Sequence, residues 1–381
     1  MTSILGALLI IASLLLPLFL GIILSGGSIS GLLVFPPALR TTGIYTSFSW
    51  PVWIGVLVFI LLILLSLFFL ALRHQVPSRP RPPSKGVIPW WGWLGAAITI
   101  GSWVLAWNRF PWFSGLQHHT FIPLWLGYIL VINALCVGRS GTCLLREHTG
   151  FFIALFPLSA VFWWYFEYLN QIVGNWHYIH ADSQWGPVGD LMSTALSFST
   201  VLPAVLSTMI WLSTFPRLSQ PFANLASLPL PHTRIWVLIW ILGMAGLGAL
   251  AIWPDYLYPL VWIAPLLVIN AVYGILGRDT LFSPLQEGDW RPSVLSALAA
   301  LICGFFWELW NSKSLAHWEY SIPWVGRFHL FEMPLLGYAG YLPFGLICLS
   351  AATLLTGSAS TLERLKRSCQ QSPPLGSLGR Q

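Results

Sequence analysis

The sequence has little charge. Its 381 residues include 18 Lys and Arg and 12 Asp and Glu, 8% in all, against roughly 25% in soluble globular domains. A surface so sparse in charge cannot keep a folded chain of this length dissolved, which excludes a soluble enzyme. Cysteine is scarce as well. There are five, Cys136, Cys143, Cys303, Cys348 and Cys369, with no metal-type spacing and none in the loops assigned below to the oxidising side, so a disulfide scaffold is excluded. No phosphate loop, dinucleotide fingerprint or His-Glu-x-x-His motif occurs. The nine histidines fall in loops or near the ends of apolar runs, which argues against haem held at membrane depth. No Lys or Arg precedes Arg40, so the first apolar run lacks the basic start of a cleaved signal and reads as a retained span.

What the sequence has is apolar length. Hydrophobic residues make up 56%, Trp numbers 23, and mean hydropathy is +0.73. Ten runs approach or exceed the ~20 residues that cross a bilayer: 4–24, 51–72, 89–107, 120–137, 151–168, 191–213, 234–253, 257–277, 292–310 and 335–356. The expectation is an all-α, polytopic membrane helix bundle of about ten transmembrane helices. Lys and Arg favour cytoplasmic loops. With the N-terminus inside, 14 of them lie in inner loops and the tail, and only Arg40, Arg109, Lys313 and Arg327 lie outside. Both termini are therefore expected in the cytoplasm, in a bacterial inner membrane. The basic residues sit in short loops between spans, so the net charge of +6 points to topology, with no nucleic-acid partner expected.

The chain also repeats itself. Leu130-Val131-Ile132-Asn133-Ala134 recurs as Leu267-Val268-Ile269-Asn270-Ala271. Phe166-Glu167-Tyr168-Leu169-Asn170 is matched by Trp307-Glu308-Leu309-Trp310-Asn311, and Asn175-Trp176-His177-Tyr178 by His317-Trp318-Glu319-Tyr320. An acid, Asp190 or Glu332, then precedes Leu202-Pro203 or Leu342-Pro343. The matches keep their order at offsets of 137 to 142 residues, a fixed period of the kind that marks duplication. The expected organisation is a two-helix unit over 1–76, a Pro-rich basic linker at 77–87, four-helix repeats over 88–213 and 233–356, and a cytoplasmic tail at 357–381. Four spans per unit set the copies the same way up, as parallel repeats about an axis along the membrane normal.

Ionisable groups near membrane helices are costly and carry structural or functional weight. Glu167, Glu308 and Glu332 are the candidate catalytic acids. Asn170 and Asn311, three residues beyond two of them and so on the same helix face, are candidate orienting or substrate-binding groups, with Trp176, Tyr178, Trp318 and Tyr320. A bland reading stands beside this one: helix-end acids among aromatics also mark the headgroup boundary, and Asn133 and Asn270 suit interhelical hydrogen bonds. His177, His180 and Asp182 have ligand chemistry, but the second copy lacks the His180 equivalent, so no metal is expected there. The residues name no cofactor.

The stretch Trp307-Glu308-Leu309-Trp310-Asn311, Trp318-Glu319-Tyr320-Ser321-Ile322-Pro323 and Phe331-Glu332-Met333-Pro334-Leu335-Leu336-Gly337-Tyr338 resembles a type of bacterial multi-pass membrane protein without an assigned function. It is more distantly similar to the integral-membrane lycopene cyclase domains and related carotenoid hydratases, which combine a helix-end acid, a Trp-x-Tyr loop and a Pro–Glu helix start. Here Glu332 precedes Pro334, where the cyclase pattern has paired acids after the proline. The resemblance implies acid–base chemistry on an isoprenoid. Three classes stay open: an intramembrane enzyme acting on an isoprenoid or other lipid, a proton-coupled small-molecule transporter, and an accessory or scaffold subunit of a membrane complex.

Overall fold

The computed structural model describes residues 2–43, 47–73, 86–180 and 185–355. Most of the linker 77–87, the tail 357–381, Asp182 and Cys369 lie outside the described residues. The chain runs α1 (Thr2–Leu24), α2 (Trp50–Arg73), α3 (Trp90–Trp107), α4 (Phe121–Ser140), α5 (Leu144–Glu147), α6 (Thr149–Val173), β1 (Trp176–Ile179), α7 (Gly186–Ser199), α8 (Val201–Ser213) and α9 (Pro216–Ser219). It continues with α10 (Thr233–Leu250), α11 (Pro254–Leu257), α12 (Leu260–Ile275), α13 (Arg291–Asn311), β2 (His317–Tyr320), β3 (His329–Leu330), β4 (Met333–Pro334) and α14 (Tyr341–Ala352). Eight helical segments are long and apolar enough to cross a membrane. Two of the ten expected spans fall short of that standard: α12, with 16 residues, and the tryptophan-rich α3, with 18. The protein is a helical bundle of the multi-pass membrane kind.

Burial places α8 and α14 at the centre. α8 buries eleven of its thirteen residues and packs on α4, α6, α13 and α14. α3 packs on α4 and α10 on α12, at crossings where small residues let backbones approach. A methyl at Gly127 would stand 2.8 Å from the Gly95 carbonyl, and one at Gly243 2.9 Å from Val268. α1 packs on α10 and α12, whereas α2 buries none of its residues.

The expected single helix over 191–213 is divided at Thr200. Pro203 has no N–H to give the carbonyl four residues back, which weakens the helix there. Ser159 of α6 closes the break: its hydroxyl donates to Phe198 O (2.6 Å) and accepts from Leu202 N (3.0 Å). The last span is likewise composite, a 3-10 turn over Leu335–Gly340 followed by α14. Glu332 does not open that helix. It lies, partly exposed, between the short strands β3 and β4.

Candidate functional site

Asn133 and Asn270 sit mid-helix, where a bare amide in an apolar interior costs a few kcal/mol (about 1–3) unless bonded. Asn133 Nδ2 donates to Ile129 O (2.9 Å) and Ser207 Oγ (2.9 Å), while its Oδ1 accepts from Leu145 N (3.2 Å). Asn270 Nδ2 donates to Leu266 O (2.8 Å) and Ser350 Oγ (3.0 Å), and its Oδ1 accepts from Leu281 N (2.8 Å). The two amides make the same three bonds, each tying a helix to its neighbour and to the chain beyond its end. Cross-helix bonding is what their sequence context led us to expect.

At the other end of the bundle, α6 and α13 run out into β1 and β2, which pair antiparallel: Trp176 with Tyr320, His177 with Glu319, Tyr178 with Trp318. Exchanging each residue for its sequence match returns the same register, with His177 and Glu319 at the centre. Glu319 lies 3.5 Å from His177 Nε2 and 3.6 Å from His317 Nε2. Among the described residues, no three or more His, Cys, Asp or Glu gather in a way that would hold a metal ion. The loop before α2 is laid over the strands. Tyr178 N donates to Arg40 O (2.7 Å), Arg40 Nη1 donates to Gln171 O (3.1 Å), Gln171 Nε2 bonds Ala38 O, and Tyr168 donates to Val34 O (2.8 Å).

Asn170 and Asn311 are not the orienting partners of the acids. Their amides grip the strands: Asn170 bonds Trp176 O (2.8 Å) and Trp176 N (3.2 Å), and Asn311 bonds Trp318 O (2.6 Å) and Trp318 N (2.8 Å). With both polar atoms spent on backbone, they clamp β1 and β2 against the helix ends.

Side chains from the strands orient the acids. Glu167 is fully buried near the end of α6, and its Oε1 accepts from Trp163 Nε1 (3.0 Å), Trp176 Nε1 (3.1 Å) and Tyr178 Oη (2.7 Å). Glu308, fully buried in the last turn of α13, accepts at Oε1 from Tyr320 Oη (2.7 Å) and Tyr341 Oη (2.6 Å). Trp318 Nε1 donates to Tyr320 Oη (2.8 Å). Burial, and next the neighbouring carboxyl, push the Tyr178 and Tyr320 phenols well above their ordinary range, so both stay protonated and donate. The helix C-terminus itself disfavours negative charge, so these donors are what make a carboxyl tolerable there. Each acid has a second oxygen, Oε2, buried with no hydrogen-bond partner.

Aromatic rings surround both acids. Trp262 stacks on Phe166 (5.1 Å, 24°) and Trp176 (6.1 Å, 22°), while Trp125 packs on Trp307 (4.9 Å) and Trp310 (5.2 Å). Trp125 and Trp262 are themselves sequence matches, so each half lends a tryptophan to the other half's acid. Glu332 bonds into neither cage but lies near enough to Glu308 to act on it electrostatically. A small cavity of about 20 Å³ opens beside Phe121, Trp310, Asn311 and Trp318, and neither acid lines it. Tyr341 and Trp163 are donors that sequence reasoning missed. Trp163 lies four residues before Glu167 and so on its face, a legible signal; Tyr341 had none, since its match is Val201.

No family model, no curated protein and no solved structure matches the chain.

Proposed function

We propose that this is an integral membrane enzyme that acts on an isoprenoid or another lipid by carboxyl acid–base chemistry near the outer face. Both termini are cytoplasmic in this reading, and the chain crosses the bacterial inner membrane ten times, α3 and α12 included. Residues 88–213 and 233–356 are parallel repeats about an axis through His177 and Glu319. The matching bonds of Asn133 and Asn270, the symmetric β1–β2 register and the exchanged tryptophans support that arrangement.

One observation carries the functional reading. Each buried acid has one oxygen held by two or three donors and a second oxygen bonded to nothing. A carboxyl kept only for folding gains by satisfying both oxygens. Leaving one buried without a protein partner costs about 1–3 kcal/mol, and both acids share that feature. Such an oxygen, aimed from a fixed carboxyl among aromatic faces, suits proton exchange with an apolar substrate, and the ring faces favour a developing cation. Trp176, Tyr178, Trp318 and Tyr320 set the carboxyl geometry, and Glu332 acts on Glu308 through its charge alone.

Proton-coupled transport is the second reading, favoured by the two-unit architecture. Against it, the polar groups deeper in the bundle bond one another: Tyr128 Oη meets Thr208 Oγ1 (2.9 Å), and Asn133 and Asn270 meet serines. Glu167→Gln with Glu308→Gln keeps shape and hydrogen-bond reach but supplies no acidic proton. Lipid extracts of cells carrying the double variant should accumulate the precursor seen in cells without the protein, at unchanged folded amount. Extracts identical to wild type eliminate the enzyme, and loss of proton flux in vesicles with unchanged lipids selects transport.

A further inference from the structure

The two carboxyl cages are built from matched positions, yet they differ in one respect that bears on proton transfer. Around Glu167, two of the three donors are indoles, Trp163 and Trp176. An indole N–H donates only; it neither accepts nor passes on a proton. Around Glu308 the two donors that reach Oε1 are phenols, Tyr320 and Tyr341. A phenol gives and takes, and Trp318 donates to Tyr320 Oη at 2.8 Å, polarising that hydroxyl toward the acid.

The difference comes from a paired exchange of residues. Where α6 has Trp163, four residues before its acid, α13 has Gly304, four residues before Glu308. A Cβ at 304 would stand 2.4 Å from the Tyr341 ring, so the Tyr341 ring occupies the space that a side chain at 304 would need. The match of Tyr341 in the first unit is Val201, which has no hydroxyl to offer. One unit takes its extra donor from its own helix, and the other has cleared that helix to admit a phenol from the next.

We infer that the two sites have diverged: Glu308, positioned by Tyr341 and Tyr320, is the carboxyl that exchanges protons with the ligand, and Glu167, held mainly by indoles that pass no proton on, keeps the same unpaired oxygen without that exchange. Gly304 is the residue that makes the difference possible, and Tyr341 is a positioning residue, since it reaches the ligand through Glu308. The inference rests on the acid–base reading above and sharpens it to one of two sites.

The test is pH-difference infrared spectroscopy of the full-length protein in lipid nanodiscs, reading carboxyl bands assigned by Glu→Gln variants. Glu308→Gln should remove the titrating band, and Glu167→Gln should leave it. Tyr341→Phe keeps the ring over Gly304 and removes only the hydroxyl. The midpoint of the Glu308 band should then move about tenfold in proton concentration, since one of the donors that hold Oε1 is gone. Gly304→Ala, which pushes the ring aside, should mimic it, and Trp163→Phe should leave the band in place. Thermal midpoints of the same samples show whether each variant is folded. A band that follows Glu167, or both acids equally, overturns the divergence and leaves the acid–base reading standing. A Glu308 band indifferent to Tyr341→Phe in a folded sample also overturns it. If neither acid titrates, the acid–base reading itself is lost, and the divergence with it.

Discussion

Residues 88–213 and 233–356 carry the same ties and different cages. Asn133 and Asn270 bond the same three kinds of partner, and Asn170 and Asn311 clamp the same strand backbone. The donors around Glu167 and Glu308 have changed. A tie between backbone segments has one geometric solution, so both halves keep it. A carboxyl needs donors, and several side chains from several directions will serve. The comparison teaches which positions hold the bundle and which are free to specialise.

The largest effect should come where the halves pack at different distances. Gly345 faces Ser296, and a methyl there would stand 2.1 Å from the Ser296 carbonyl. Its match, Val205, is fully buried with a branched side chain in place. The α13–α14 crossing is therefore the closer one. Gly345→Ala must push two helix backbones apart, an overpacking cost of about 1–3 kcal/mol or more, and should sharply lower the folded amount in the membrane. Val205→Ala, which leaves a small void, should cost about 1–2 kcal/mol. Thermal unfolding of both in detergent checks the order; equal midpoints would show the crossings to be equally close.

A smaller effect tests the likeness rather than the difference. Asn133→Ala strips Leu145 N–H and Ser207 of a partner, and Asn270→Ala does the same to Leu281 N–H and Ser350. Buried polar groups left bare cost about 1–3 kcal/mol; interhelical bonds inside membranes average nearer ~0.6. Each variant should lose about 1–2 kcal/mol on these figures, and the two losses should agree. A twofold disparity would mean that the matched bonds carry unequal loads.

Helix positions were legible because bilayer thickness imposes a run length, and each of the ten runs is largely helical over its described residues. The sequence matches at Asn133, Glu167 and Trp176 stood out because polar residues in apolar sequence are rare enough for a match to be noticed. The strands β1 and β2 were not. Four residues of Trp, His and Tyr beside a helix end give no alternation long enough to separate a strand from a loop, and their pairing joins residues about 140 apart. The break at Thr200 depends on Ser159, whose bond to Leu202 spans 43 residues and which no local pattern contains. The role of Asn170 and Asn311 was misread for a related reason: spacing of three places them on the acid's face, but their amides satisfy the strand backbone first. Tyr341 was hidden because its match, Val201, is apolar, and only the space at Gly304 reveals it.

The smallest effect separates the halves by pH. At the strand-bearing end, His119 stacks on Trp185 (3.7 Å, 16°) with its Nδ1 2.9 Å from Ser193 Oγ. The second half has Tyr256 beside Trp324 (5.7 Å, 34°), at offsets of 137 and 139 residues from that pair. Burial, and next the neighbouring His118, hold the His119 imidazole below its ordinary value of 6.5, while Asp190 pulls it the other way. The folded protein resists a proton that the unfolded chain accepts. Stability from this stack is therefore complete above pH 6.5 and declines as pH falls below that value. A phenol has no proton to gain over the same range. His119→Phe keeps a ring on Trp185 and should flatten the acid limb of a melting-temperature curve, while Tyr256→Phe should leave that limb unchanged. Sensitivity to Tyr256→Phe, or an acid limb that survives His119→Phe, would place the acid response elsewhere than at this stack.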